Sequence, residues 1–264
     1  MTENPEEQHE EGTMTIWEHL EELRARMVKA LLAAVLGAAL GWYFRGQLLH
    51  FLLAPLLESW PAKLGPATIN ARTLPEGFLI SLKVAILGGF IMAFPLIAYQ
   101  LWAFVAPGLY KKEKRYTLLF VASSCGLFAV GSYFSWRFAI PAGFQYMLTY
   151  LGPDTIPGVP FVPTFTISDY VNFVTKLLMA FGVIFELPVV VLFLSVAGLI
   201  NHTHLIKFFR YFVVIAFVIS AILTPPDPIS QLLMALPLVG LYGFSIGVAY
   251  VFGRKKDDTA DSKT

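Results

Sequence analysis

The sequence predicts an all-α integral membrane protein with six transmembrane helices, both termini in the cytoplasm, an N-terminal interfacial amphipathic helix and structured external loops. Three observations predict it. The 264 residues are 56% hydrophobic and 14% charged, whereas soluble domains carry about 25% charged residues. Apolar stretches long enough to cross a hydrocarbon core of ~30 Å recur along the chain. Lysine and arginine fall almost entirely in alternate segments between those stretches, which is how cytoplasmic loops are marked.

Residues 1–14 form an acidic tail that is expected to be disordered. Residues 1–23 contain eight glutamates and no lysine or arginine, the reverse of the basic start of a secretory signal. Thr15 and Glu18 make a capping box. Ile16, Trp17, Leu20, Leu23 and Met27 follow at three- and four-residue steps, so this segment reads as an amphipathic helix at the cytoplasmic interface that feeds the first span. The membrane domain, 15–252, has spans at about 27–45, 78–100, 116–140, 170–198, 208–223 and 229–252. The fifth is short. Its apolar part, 211–223, is 13 residues, roughly 20 Å of helix. Either the bilayer thins there or neighbouring helices shield its ends, unless Phe208 and Phe209 lengthen the span past Arg210. Residues 253–264 form a polar cytoplasmic tail.

Orientation follows from the flanks. Arg24, Arg26 and Lys29 precede span one, and Lys111, Lys112, Lys114 and Arg115 separate spans two and three. Lys207 and Arg210 lie between four and five, and Arg254, Lys255 and Lys256 follow six. These twelve stand against Lys63 and Arg72 alone in the complementary segments, which puts both ends inside. The long external segments, 46–77 and 141–167, are rich in Pro and Gly and read as an ordered cap with little regular structure. Pro55 is placed in a turn of the first.

Several function classes fall away. A net charge of +1 gives no basic surface for nucleic acid. Cys125 is the single cysteine, so no internal disulfide is expected. His9, His19, His50, His202 and His204 form no HExxH pair, and no GxSxG or Walker pattern occurs. The chain reads as neither an enzyme nor a metal or cofactor protein.

Four stretches carry chemistry. In TIWEHLEELRARM (15–27), Glu18, Glu21 and Glu22 read from pattern alone as a solvated face, with Glu22 and Arg26 paired at i,i+4. In LWAFVAPGLYKKEKRY (101–116), Pro107 and Gly108 mark a turn, and Trp102, Phe104 and Tyr110 line the interface. Glu113 is the sole acid among four bases there. In FGVIFELPVVV (181–191), Glu186 interrupts an apolar run. An intramembrane carboxylate costs roughly 2.5–3.5 kcal/mol or more, so it must face protein, water or a partner. Lys176 on the same helix is about 15 Å away along the axis and turned off by some 80°, so it is no direct counter-ion. Pro188 removes the bond to the Ile184 carbonyl and predicts a kink at the carboxylate. In LTPPDPISQLL (223–233), Thr224, Pro225, Pro226 and Asp227 form a tight turn, Asp227 can cap the following helix, and Ser230 and Gln231 begin it.

Together these stretches resemble the TatC family. The matching pieces are HLEELRAR (19–26), APL (54–56), YQLWAFVAPGLYKKEKR (99–115), FGVIFELPV (181–189) and LTPPDPISQ (223–231), in order across 17–252. The resemblance implies a receptor that recognises the paired arginines of a signal peptide on the cytoplasmic face of the bacterial inner membrane. With TatA and TatB it passes folded proteins across, driven by the protonmotive force. It also implies that the chain forms a homo-oligomer in the complex. On this chain it points to Glu22 and Glu113 as the arginine-binding acids, with Glu21 able to share the role of Glu22. His19, Leu20, Leu23 and Arg24 would shape one half of the site, and Phe104, Pro107 and Tyr110 the other. Glu186 and Gln231 become intramembrane polar contacts for a partner helix. The competing readings are a proton-coupled secondary transporter using Glu186 and a structural assembly factor.

Overall fold

The computed structural model describes residues 16–60, 69–105, 114–149, 166–224 and 228–253. The acidic tail, Thr15, Pro107, Tyr110, Glu113, Pro225, Pro226, Asp227 and the tail after Gly253 lie outside the described residues. Nine α-helices make up the described chain: α1 (Ile16–Tyr43), α2 (Arg45–Ser59), α3 (Glu76–Val105), α4 (Lys114–Phe134), α5 (Ile140–Thr149), α6 (Ile167–Ile184), α7 (Leu187–Val196), α8 (His202–Leu223) and α9 (Pro228–Phe252). Among them there is no strand, only an isolated bridge between Asn70 and Thr166.

Five helical segments are long and apolar enough to cross a membrane: α3, α4 running on into α5, α6 with α7, α8, and α9. Counted together as one broken segment, α1 and α2, bent by 81° at Phe44, make a sixth. The chain is a multi-pass membrane protein, with apolar side chains such as Leu36, Val214 and Leu236 turned outward. The amphipathic segment feeds directly into the first span, as expected. It continues without a break from Ile16 into the apolar part of α1.

Contacts fix the order of the bundle. His19 meets Phe104, and Trp42 meets Phe78, so α1 and α3 run antiparallel. Trp102 with Phe120, and Phe94 with Phe128, set α3 against α4. Phe134 against Phe181 sets α4 against α6. Phe212 on Tyr242 sets α8 against α9. The starts of α1, α4 and α8 and the ends of α3, α7 and α9 therefore share one end of the bundle, here the N-terminal end.

Small residues set the α1–α3 spacing. A Cβ added at Gly37 would meet the Gly89 carbonyl and Ala93, and one at Gly89 would meet the backbone of Gly37 and Ala38. Backbone cannot turn aside as a side chain can, and close helix approach in lipid depends on such residues. Gly89→Leu is expected to destabilise the fold by about 1–3 kcal/mol through overpacking. A lower thermal midpoint in detergent is the check, and an unchanged midpoint contradicts the packing account.

The segments expected to be external are more helical than the sequence reading has them. Residues 46–59 belong to α2, and residues 140–149 to α5. Their apolar residues fall at helical steps: Leu52 and Leu56 are buried in α2, and Ile140, Phe144 and Leu148 in α5. Pro55 is not in a turn. It is buried inside α2, where its missing N–H frees the Phe51 carbonyl. The indole N–H of Trp136 donates to that carbonyl at 3.1 Å, so the orphaned acceptor finds a partner from another helix. A π-helical turn, Ser135–Ala139, joins α4 to α5 directly before Pro141.

The other expected features hold with sharper bounds. The helix breaks at Phe185 and Glu186, with Pro188 in the first turn of α7. The fifth span starts well before Arg210, at His202, and has 22 residues. That is about 33 Å of helix, enough to cross without thinning. Thr224 closes it: its N–H and its hydroxyl both donate to the Ser220 carbonyl, at 2.9 and 2.8 Å.

At the far end the chain is clasped by one carboxylate. Glu76 is buried at the start of α3, and its oxygens accept the backbone N–H groups of Arg72, Thr73 and Ser168. It therefore caps α6 through Ser168, 92 residues away, and fastens the turn that leads into α3. Arg72 also pairs with Asp169 at 3.0 Å, and the Ile167 N–H donates to the Asn70 carbonyl at 3.1 Å.

Candidate functional site: the N-terminal end and the Glu186 face

The first turns of α1 hold Glu22 between two neighbours. Arg26 Nε and Nη2 both donate to Glu22 Oε1, at 2.8 and 2.6 Å. The i,i+4 pair read from the sequence is present. His19 Nδ1 stands 3.9 Å from Oε2, too far for a hydrogen bond. Oε2 is the freer oxygen, and the Glu22 side chain retains 20% exposure. A carboxylate held on one oxygen and open on the other is oriented in advance for a cationic ligand.

The structure brings this segment to the second motif. The His19 ring stacks on Phe104, with centroids 4.4 Å apart and planes 16° apart. Leu23 and Phe104 are half-buried, whereas Leu20, Glu21 and Arg24 are exposed. Trp17 is 81% exposed, as a residue at headgroup level would be. Glu113, Pro107 and Tyr110 lie beyond the end of α3, outside the described residues.

Trp102 departs from the sequence reading. It does not line the interface but is buried between helices. Its ring stacks on Phe120 and meets Phe193 edge-on, and its N–H donates to Ser124 Oγ at 2.8 Å. The burial of a Trp depends on finding such a partner.

Glu186 lies at the break between α6 and α7, ten residues before the end of α7. That is about 15 Å from the N-terminal end. It is partly buried, with Oε1 enclosed and without a hydrogen-bond partner. Ser124 of α4 neighbours the carboxyl. No ion pair joins Glu186 to Lys176 among the described residues, as the helical geometry required. Gln231, one turn into α9, donates its amide to the Phe217 carbonyl of α8 at 3.0 Å. Its side chain is thus engaged in holding α8 to α9.

Sequence reasoning missed Ser124 and Glu76. Ser124 sits in VASSCG, where two adjacent serines in an apolar run are a weak signal. Glu76 gave only a helix-start signal, since one of its three donors is distant in sequence. Among the described residues, no group of His, Cys, Asp and Glu could hold a metal ion.

Known proteins share this arrangement. The family described as Sec-independent protein translocase protein (TatC) matches residues 18–237. A Sec-independent protein translocase protein TatC from Desulforapulum autotrophicum is 41% identical over 94% of this chain and 88% of its own length. One from Aquifex aeolicus is 36% identical over 93% of this chain and 98% of its own length. A crystal structure of the twin arginine translocase receptor TatC in the detergent DDM superposes with a TM-score of 0.77. It is 37% identical and covers 88% of this chain and 99% of its own. The agreement in sequence, in span order and in three dimensions has one meaning: the chain belongs to the TatC family of Sec-independent protein translocase proteins.

Proposed function

We propose that this translocase component is the receptor subunit for twin-arginine signal peptides. It binds them at the N-terminal end of the bundle, which faces the cytoplasm, and nucleates assembly with TatA- and TatB-like single-span proteins. The setting is the bacterial cytoplasmic membrane, with both termini inside and the protonmotive force driving export. The observation that carries the reading is the His19–Phe104 stack. It joins the HLEELRAR segment to the end of α3, and the short stretch 106–112 alone separates that end from Glu113.

The chemistry suits arginine. A guanidinium presents a planar fork of donors that matches a carboxylate, whereas lysine offers a strongly hydrated point charge. Glu22 Oε2 receives one arginine and Glu113 the other. Arg26 stays on Oε1 and keeps the carboxylate from rotating away.

Site-directed crosslinking tests this directly. A photoreactive group beside the peptide arginines is expected to label residues near 22 and near 113. Labelling confined to α8 and α9 would contradict the site.

A further inference from the structure

Two buried polar groups link the proposed peptide face to the intramembrane carboxyl. Trp102 is one turn from the end of α3 and two residues before Phe104, which stacks on His19. Its N–H occupies a lone pair of Ser124 Oγ. A hydroxyl that accepts still has its own proton to give, and the Glu186 carboxyl lies beside it. With that proton directed at the carboxyl, one of its oxygens is held, while Oε1 is enclosed and unpartnered.

The surroundings make this chain stiff. Ala98, Trp102, Val121, Val189 and Phe193 form a hydrophobic cluster separate from the main core. It fastens the end of α3 to α4 and α7, the helix that Glu186 opens. Close-packed interiors pass on displacement instead of absorbing it, and a buried hydrogen-bond chain adds direction to it.

We infer that Trp102 and Ser124 are positioning residues, which orient the Glu186 carboxyl and tie that orientation to peptide binding at the His19–Phe104 face. This rests on the receptor reading above. A peptide that shifts the end of α3 moves Trp102, and Ser124 turns the carboxyl with it. Oε1 is then presented to a polar side chain, an amide or hydroxyl, on a partner helix in the membrane. Coupling of this kind needs an element that both sites bias, and the cluster around Trp102 is that element.

The native thiol of Cys125 provides the readout. It is the single cysteine, adjoins Ser124 and packs against the same cluster. Full-length protein in lipid nanodiscs is labelled with N-ethylmaleimide, with and without a saturating paired-arginine signal peptide. In the wild type the peptide is expected to change the labelling rate by about fivefold or more, a typical coupling. Ser124→Thr keeps the hydroxyl and keeps the response. Ser124→Ala and Trp102→Phe lose it, yet bind the peptide within about twofold of the wild type, as remote positioning residues should. Retained binding also shows that both variants fold. A response that persists in Ser124→Ala and Trp102→Phe overturns the inference, as does a wild type that binds peptide with no change at Cys125. Failure of the wild type to bind the peptide is a different result, and it overturns the receptor reading itself.

Discussion

Alanine at Glu22 is expected to weaken binding of a paired-arginine peptide by about 10- to 100-fold, the worth of one charge-assisted hydrogen-bonded contact. The cause is local. Glu22 Oε2 is the carboxylate oxygen that Arg26 leaves open, and its side chain stays partly exposed at the surface. The thermal midpoint should move little, because an i,i+4 ion pair at a helix surface contributes only a few tenths of a kcal/mol. Glu113→Ala should weaken binding by a similar factor. Glu21→Ala should not, since Glu21 is exposed on another side of α1. Titration calorimetry in detergent measures all three. Equal losses at Glu21 and Glu22 would mean that the binding carboxylate is assigned to the wrong residue.

Glu186→Ala is expected to act on the other half of the process. Peptide affinity should stay within about twofold, while recovery of partner single-span proteins on the receptor falls at least tenfold, as for the loss of a buried polar contact. Glu186→Gln should fall between, since its amide can accept at one oxygen but cannot ionise. Co-purification from detergent-solubilised membranes measures this. The competing use of Glu186 is as the proton carrier of a secondary transporter. That reading predicts substrate-dependent flux in vesicles holding this protein alone, and the receptor reading predicts none. A loss of peptide binding in Glu186→Ala would place the residue in the wrong half of the account.

The long spans were legible because their signal is simple. In α3 and α9 one apolar run outlasts the membrane thickness, so length alone identifies them. The break at Glu186 was legible too, since Pro188 cannot donate to the Ile184 carbonyl. What escaped was helix in Pro- and Gly-bearing segments. Pro55 reads as a turn residue, yet it sits in α2 because Trp136, 81 positions later, takes the carbonyl it orphans. No local pattern carries that.

The candidate site divides in the same way. Glu22 and Arg26 were readable from four-residue spacing, and the structure holds them 2.6 Å apart. Trp102 looked like an interfacial anchor because Trp commonly is one. Its burial follows from a serine on another helix, 22 residues away. Glu76 depends on Ser168, and its role as a clasp emerges only when α3 and α6 start side by side. Long-range polar pairs place single residues, and periodicity is blind to them.

The central claim is that two carboxylates at the N-terminal end select arginine by geometry and not by charge alone. The most direct measurement is the affinity of the isolated protein, in detergent, for a signal peptide carrying two arginines against the same peptide carrying two lysines. The lysine peptide is expected to bind at least about tenfold more weakly, because a planar, weakly hydrated guanidinium is replaced by a strongly hydrated point charge while the net charge is kept. This preference is also expected to disappear in the Glu22→Ala, Glu113→Ala double variant. Equal affinity for the two peptides in the wild type would contradict the claim.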